Sequence, residues 1–184
     1  MAVFRGSRQR SGFTIIELAV AIAILVVGVA GFAQALVTAQ KAEVKNREMD
    51  HAAEAARMVV ERMQAESFPD VFRRFNSVTS DDPGGAGTAP GVGFAVEGLS
   101  PVAGDADGLP GEIVFPVATA TPGAIYETTV NAQLGMPRDL NANGLIDATN
   151  HATDYRVLPV LVRVRWRGVS GNGFYELQTL LADY

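Results

Sequence analysis

Between Phe13 and Val37 the chain reads FTIIELAVAIAILVVGVAGFAQALV, a run in which Glu17 is the sole charge and Thr14 and Gln34 are the only other clearly polar side chains. A bilayer core is crossed by about 20 apolar residues of helix, so the run is long enough to span one. From Thr38 to Ser67 the chain turns polar without losing its helical character, because the stretch lacks Gly and Pro and is rich in Ala, Glu, Lys, Arg, Met and Gln, the stronger helix formers. Within it Ala52, Ala53, Ala56, Val59, Val60 and Met63 recur at steps of three and four, which predicts an apolar stripe against a partner surface. Pro69 disfavours helical geometry in the residue before it, so the helix is expected to end at Ser67 or Phe68. From Phe13 to Ser67 this makes a helix of about 55 residues and about 80 Å. That length outruns so small a domain, and its first half needs cover from a bilayer or from other helices. No proline lies between Phe13 and Phe68, so a pronounced kink is not encoded.

Beyond the helix the pattern shortens. Residues 76 to 111 hold Ser-Asp-Asp-Pro-Gly-Gly-Ala-Gly at 80 to 87 and Gly-Asp-Ala-Asp-Gly-Leu-Pro-Gly at 104 to 111, both rich in turn formers. Extended segments are predicted at Gly93 to Glu97, Glu112 to Val117, Ile125 to Val130, Leu158 to Trp166 and Phe174 to Leu181. In the fourth, Val160, Val162, Val164 and Trp166 alternate with Leu161, Arg163, Arg165 and Arg167, a period of two that makes one face apolar. The loop from Gly168 to Gly173 then turns the chain back into the last strand. The expected class is α+β, with a small antiparallel sheet laid on the second half of the long helix.

The charge at Glu17 changes the meaning of the apolar run. An ionised carboxylate in hydrocarbon costs at least about 2.5 to 3.5 kcal/mol, so it needs a partner, and the next basic residue downstream is Lys41. Upstream, residues 1–12 carry Arg5, Arg8 and Arg10 and no acid, a flank that is retained on the cytoplasmic side. A secretory signal places its small-residue cleavage site after the apolar core, whereas here Gly12 precedes it. Gly12-Phe13-Thr14-Ile15-Ile16-Glu17 resembles the cleavage and methylation signature of type IV prepilins and type II secretion pseudopilins. The resemblance implies a pilin fold and a prepilin peptidase that removes the leader 1–12, cutting between Gly12 and Phe13 and methylating the new Phe13 amine. It also implies a membrane-spanning and assembly half at 13–37, a periplasmic half of the helix at 38–68 and a β-rich head at 69–184. Glu17 would then pair with the Phe13 ammonium of a neighbouring subunit, because a buried carboxylate and a buried ammonium are tolerable chiefly together. The implied partners are the peptidase, other pilin or pseudopilin subunits, an inner-membrane assembly platform and the membrane itself. Over its first 65 or so residues the chain is most similar to PilV-type minor pilins or minor pseudopilins. A different class of protein, a membrane-anchored binding module that never polymerises, would share the anchor but not the need for Gly12 and Glu17.

Composition removes several alternatives. There is no cysteine among 184 residues, so neither a disulfide nor a thiolate-ligated metal is available. Many pilins staple the C-terminal region with a disulfide, and here something else must hold the loops. The chain carries 15 basic and 20 acidic residues, and losing the three leader arginines leaves 12 against 20, a net charge of −8. Such an acidic product argues against general nucleic-acid binding. The ladder Arg163, Arg165, Arg167 is expected to be a solvated sheet face or subunit contact, answered by Glu176 or Asp183 across the hairpin.

One further motif carries chemistry. Asp139-Leu-Asn141-Ala-Asn143-Gly144-Leu145-Ile-Asp147 matches the first, third, fifth, sixth, seventh and ninth places of an EF-hand-type calcium loop, spanning 139–150. Calcium takes six to eight oxygens, which alternate side chains on a tight loop supply, with the Leu145 carbonyl among them. The twelfth place is Asn150 where a bidentate acid is wanted, so Asp154, Asp105 or Asp107 would have to complete a structural calcium site. An Asx-rich turn without metal has the same composition. His51, His151 and Ser170 form no catalytic pattern, and the chain reads as a non-enzyme.

Overall fold

The computed structural model describes residues 12–118 and 120–183. The leader and its arginines, apart from Gly12, lie outside the described residues. The chain divides into two compact units, one reaching Glu43 and the other running from Val44 to Tyr184, and a single continuous helix, α1 (Ile15–Ala65), supplies residues to both.

In the first unit α1 begins after Thr14, whose Oγ1 accepts the Glu17 N–H at 3.3 Å and so satisfies one of the donors that a helix start leaves open. Every residue from Gly12 to Glu43 is exposed, including Ile15, Ile16, Val27 and Phe32. A helix that is apolar all round belongs in lipid or among other helices. The helix is long and apolar enough to cross a membrane.

In the second unit α1 presents Ala52, Ala55, Ala56 and Met63 to the core, with Val59 and Val60 half-buried beside them. Ala55 joins the expected stripe and Ala53 sits at its edge. The helix ends at Ala65, two residues short of the expected boundary, and Pro69 then opens a second helix, α2 (Phe68–Phe75), at its first turn. Pro is well placed there because its missing N–H would have had no intrahelical partner. Val71, Phe72 and Phe75 of α2 are buried, with Phe72 edge-on to Phe115 at 5.3 Å between centroids.

The sheet has four antiparallel strands in sequential order, β1 (Gly93–Phe94), β2 (Gly111–Val114), β3 (Val157–Gly168) and β4 (Gly171–Ala182). Ala95 to Glu97 and Phe115 to Val117 fall outside the strands expected around them, while β3 and β4 are longer than expected. Gly168 pairs with Gly171, so the hairpin turns on Val169 and Ser170 alone. Val160, Val162, Val164 and Trp166 are buried as the alternation requires. Leu161, on the other face, is buried too, and a 3₁₀ turn at Ala132–Leu134 contacts β3. A side chain at Gly173 would meet the Trp166 ring at 2.4 Å, and that glycine is what lets the indole lie flat on the hairpin. Trp166 Nε1 donates to Glu48 Oε2 at 3.0 Å, tying β3 to the α1 residues of this unit.

Residues 125–130 do not form a strand. They make only isolated bridges, Val117 to Ile125 and Tyr126 to Asn150, because the Ile125 backbone is taken by other groups: its N–H donates to Asn150 Oδ1 and its carbonyl accepts from His151. The loops that lack a disulfide are held by side-chain carboxylates and amides instead. Asp82 accepts from Gly87 and Ala89, Asn76 bonds Asp81 and Val78, and Asn131 accepts from Gln133 and Leu134. Tyr155 adds a long-range tie, accepting from Phe72 N–H and donating to the Phe68 carbonyl, and burial pushes its hydroxyl up to about 12.

Candidate functional site

Phe13, exposed, precedes the first turn of α1, and Glu17 sits in that turn on the solvent side. A carboxylate at a helix N-terminus is favoured by the helix dipole, which fixes where the charge sits but leaves it exposed. No described residue forms an ion pair with it.

The motif at 139–147 closes on itself. Asp139 accepts N–H bonds from Asn143 and Gly144, Asn141 from Asn143, and Asn143 from Leu145. Gly144 has φ of +86°, a left-handed conformation that costs glycine nothing. Three side-chain oxygens and the Leu145 carbonyl therefore belong to one tight loop, as calcium ligation needs. The twelfth place does not join them, because Asn150 Oδ1 accepts from Ile125 and Ala152. The proposed auxiliary acids are engaged elsewhere as well. Asp105 faces Arg165 at 3.9 Å, Asp107 accepts from Leu109, which holds its carboxyl below the usual range, and Asp154 bonds His151.

Asp147 also belongs to a second cluster. Its Oδ1 accepts from Thr149 N–H at 2.7 Å and Thr149 Oγ1 at 2.6 Å, which lowers its pKa, and it lies 3.2 Å from His151 Nε2. Glu127 is fully buried beneath the loop. Its Oε1 accepts from Leu140 at 2.6 Å and Asn141 at 3.3 Å, and its Oε2 accepts from Asp147 at 3.0 Å, so one carboxylate clips both ends of the loop. His151 Nε2 is 3.8 Å from Glu127 Oε1, and Nδ1 is 3.1 Å from Asp154 Oδ1. Burial pushes the His151 pKa down, but hydrogen bonds to Asp147 and Asp154 and the Glu127 charge push it further up, and the net shift is upward. Glu127, Asp147 and His151 bring one potential ligand atom each within 4.8 Å of one another, and the trio could bind a metal ion.

Of the predicted ligands only Asp147 belongs to this trio. Glu127 and His151 were missed because the partners lie up to 24 positions apart in the chain. A faint signal existed for Glu127: it is two residues from Ile125, so in extended chain it shares the face of a residue that is fully buried. In the arginine ladder Arg163 bonds Glu176 across the hairpin at 2.7 Å as expected, whereas Arg165 lies 3.6 Å from Glu112 on the neighbouring strand β2. Asp183 forms no ion pair with the ladder among the described residues.

An apolar helix long enough to span a bilayer, followed by a four-stranded antiparallel sheet that packs on helix residues of its own unit, defines an α+β protein of pilin-like layout. Residues 7–33 match the family model of the prokaryotic N-terminal methylation motif. The chain thus carries the processing motif of type IV pilin-like proteins, a family of structural subunits, and the match supports its membership of that family and implies processing by a prepilin peptidase and assembly with other subunits. No curated protein and no solved structure matches the chain.

Proposed function

We propose that the chain is a minor pilin-type filament subunit that works by assembly and not by catalysis. The observation that carries this is the joining of the methylation motif at 7–33 to a helix whose apolar surface is wholly exposed up to Glu43. In this reading the leader 1–12 is cut off after Gly12, the Phe13 amine is methylated, 13–37 holds the chain in the inner membrane before entering the filament, and 38–184 lies in the periplasm. Glu17 pairs with the Phe13 ammonium of the adjacent subunit. Mass spectrometry of the membrane fraction tests it: the expected N-terminus is N-methylated Phe13, and an intact Met1 or a cut at another bond rules the reading out.

A calcium ion on Asp139, Asn141, Asn143 and the Leu145 carbonyl is the cofactor in this reading. Its support is the run of Asx turns that gathers those oxygens around Gly144, although four protein oxygens leave at least two places to water or to Asp147. Millimolar calcium is expected to raise the melting temperature of the chelator-treated chain.

A further inference from the structure

Three carboxylates, Glu127, Asp147 and Asp154, converge on one imidazole. Each is ion-paired with His151 and, among the described residues, with no lysine or arginine. Even with His151 protonated the cluster holds three negative charges against one positive. Glu127 and His151 are both buried, where charge is costly unless it is balanced. The deficit is therefore largest at the place least able to screen it.

The two imidazole nitrogens have different surroundings. Nδ1 faces both Asp154 oxygens, at 3.1 and 3.3 Å, with the Asn141 amide nitrogen farther off at 3.4 Å. A carboxylate there takes the Nδ1 proton and leaves the lone pair on Nε2, the arrangement by which an outer carboxylate orients a metal-binding histidine. Nε2 in turn points among oxygens: Asp147 Oδ1 at 3.2 Å, Thr149 Oγ1 at 3.0 Å and Glu127 Oε1 at 3.8 Å. When Nε2 gives up its proton, its lone pair faces two carboxylates, and a cation between them takes the place of that proton.

We infer that Glu127 Oε1, Asp147 Oδ1 and His151 Nε2 form a site for a divalent transition metal of the zinc type, with Asp154 as the positioning residue behind the histidine. Donors bonded tetrahedrally at 2.0 to 2.1 Å stand about 3.3 Å apart; the separations at Nε2 are 3.2 and 3.8 Å, and all three ligand atoms lie within 4.8 Å of one another. An imidazole among the donors suits zinc, copper, iron or nickel, whereas calcium is served by oxygens alone. Asp147 is partly exposed, which leaves an entry path and a fourth position for water. The ion would clamp Glu127 to the 139–151 loop. The site is separate from the calcium oxygens apart from Asp147 and rests on the filament reading in no respect.

The full-length chain in detergent, stripped with a chelator, is the material for the test. Zinc chloride is expected to bind at one equivalent per chain and raise the melting temperature. Cobalt(II) is expected to give visible d–d bands that zinc abolishes, which needs no variant. Asp154→Asn, which touches no metal ligand directly, should weaken zinc binding about 10- to 100-fold. His151→Gln should abolish it and leave any response to calcium in place. Absence of saturable zinc binding by the native chain overturns the inference, and so does zinc affinity unchanged in both variants. Stabilisation by calcium without zinc binding overturns the inference while leaving the oxygen-loop reading intact, and a response to neither ion removes both.

Discussion

Glu17→Ala is expected to leave the chain in the membrane fraction while removing it from filaments. The carboxylate opposes insertion, by about 2.5 to 3.5 kcal/mol on the mildest scale, so its loss cannot harm anchoring. In the proposed filament the same carboxylate answers the Phe13 ammonium of the next subunit. Breaking a buried pair by removing one partner leaves an uncompensated charge and costs about 3 to 5 kcal/mol. At tenfold per 1.4 kcal/mol this lowers incorporation by roughly 100- to 1,000-fold or more. Shearing filaments from cells and comparing the subunit in sheared and membrane fractions reads the effect directly. Incorporation equal to that of the unaltered chain would show that Glu17 has no pairing role. Thr14 is a useful control, since it caps the same helix start through its side chain and its replacement by alanine should cost only about 1 kcal/mol of local helix stability.

The second large effect is expected at Glu127. Its carboxylate is fully buried and accepts three backbone N–H bonds, from Leu140, Asn141 and Asp147. Glu127→Ala strands all three donors at once. An unsatisfied buried donor costs about 1 to 3 kcal/mol, and because Asn141 and Asp147 are partly exposed, water can recover some of it. The net loss is expected on the order of 3 to 5 kcal/mol, which lowers the melting temperature by about 10 °C for a chain of this size. Hydrogen exchange gives the local signature: the amides of Leu140, Asn141 and Asp147 should exchange far faster, while those of β3 and β4 slow or speed only with global stability. Glu127→Gln keeps acceptor capacity on one oxygen and should fall between the two. A melting temperature within about 2 °C of the unaltered chain would mean that the loop is held by its own Asx turns alone.

Both residues are acids placed where a charge needs a partner, yet they differ in how they could be found. Glu17 stands out in the linear sequence because twenty-odd apolar neighbours surround it, and Gly12 and Phe13 sit at fixed spacing beside it. Glu127 lies in Ile-Tyr-Glu-Thr-Thr-Val, an ordinary strand-like stretch. Its burial comes from residues 140 to 151 folding over it. For the same reason 125–130 reads as a strand and is not one: β propensity records fitness for a pleated surface, and here the surface is already occupied by side-chain and loop hydrogen bonds. Pro69 shows a milder version. It marked the end of α1 to within a few residues, but only the packing of Val71, Phe72 and Phe75 decided that a second helix starts on it.

What the sequence alone determined is whatever depends on neighbours a few residues apart. The apolar run and its single acid, the continuation of the helix to the mid-sixties, the alternation of β3 and its hairpin with β4, and the Asx turns around Gly144 are all local, set by periods of 3.6 and 2 or by single-residue backbone preferences. The tertiary structure decided which polar groups meet. It brought Glu127 under a loop that begins 12 residues later, set Asp147 against one nitrogen of His151, and set Asp154 against the other. Such meetings follow from where the chain can bury its apolar face against the sheet, and a buried carboxylate then takes the N–H donors and the imidazole that the burial delivers to it.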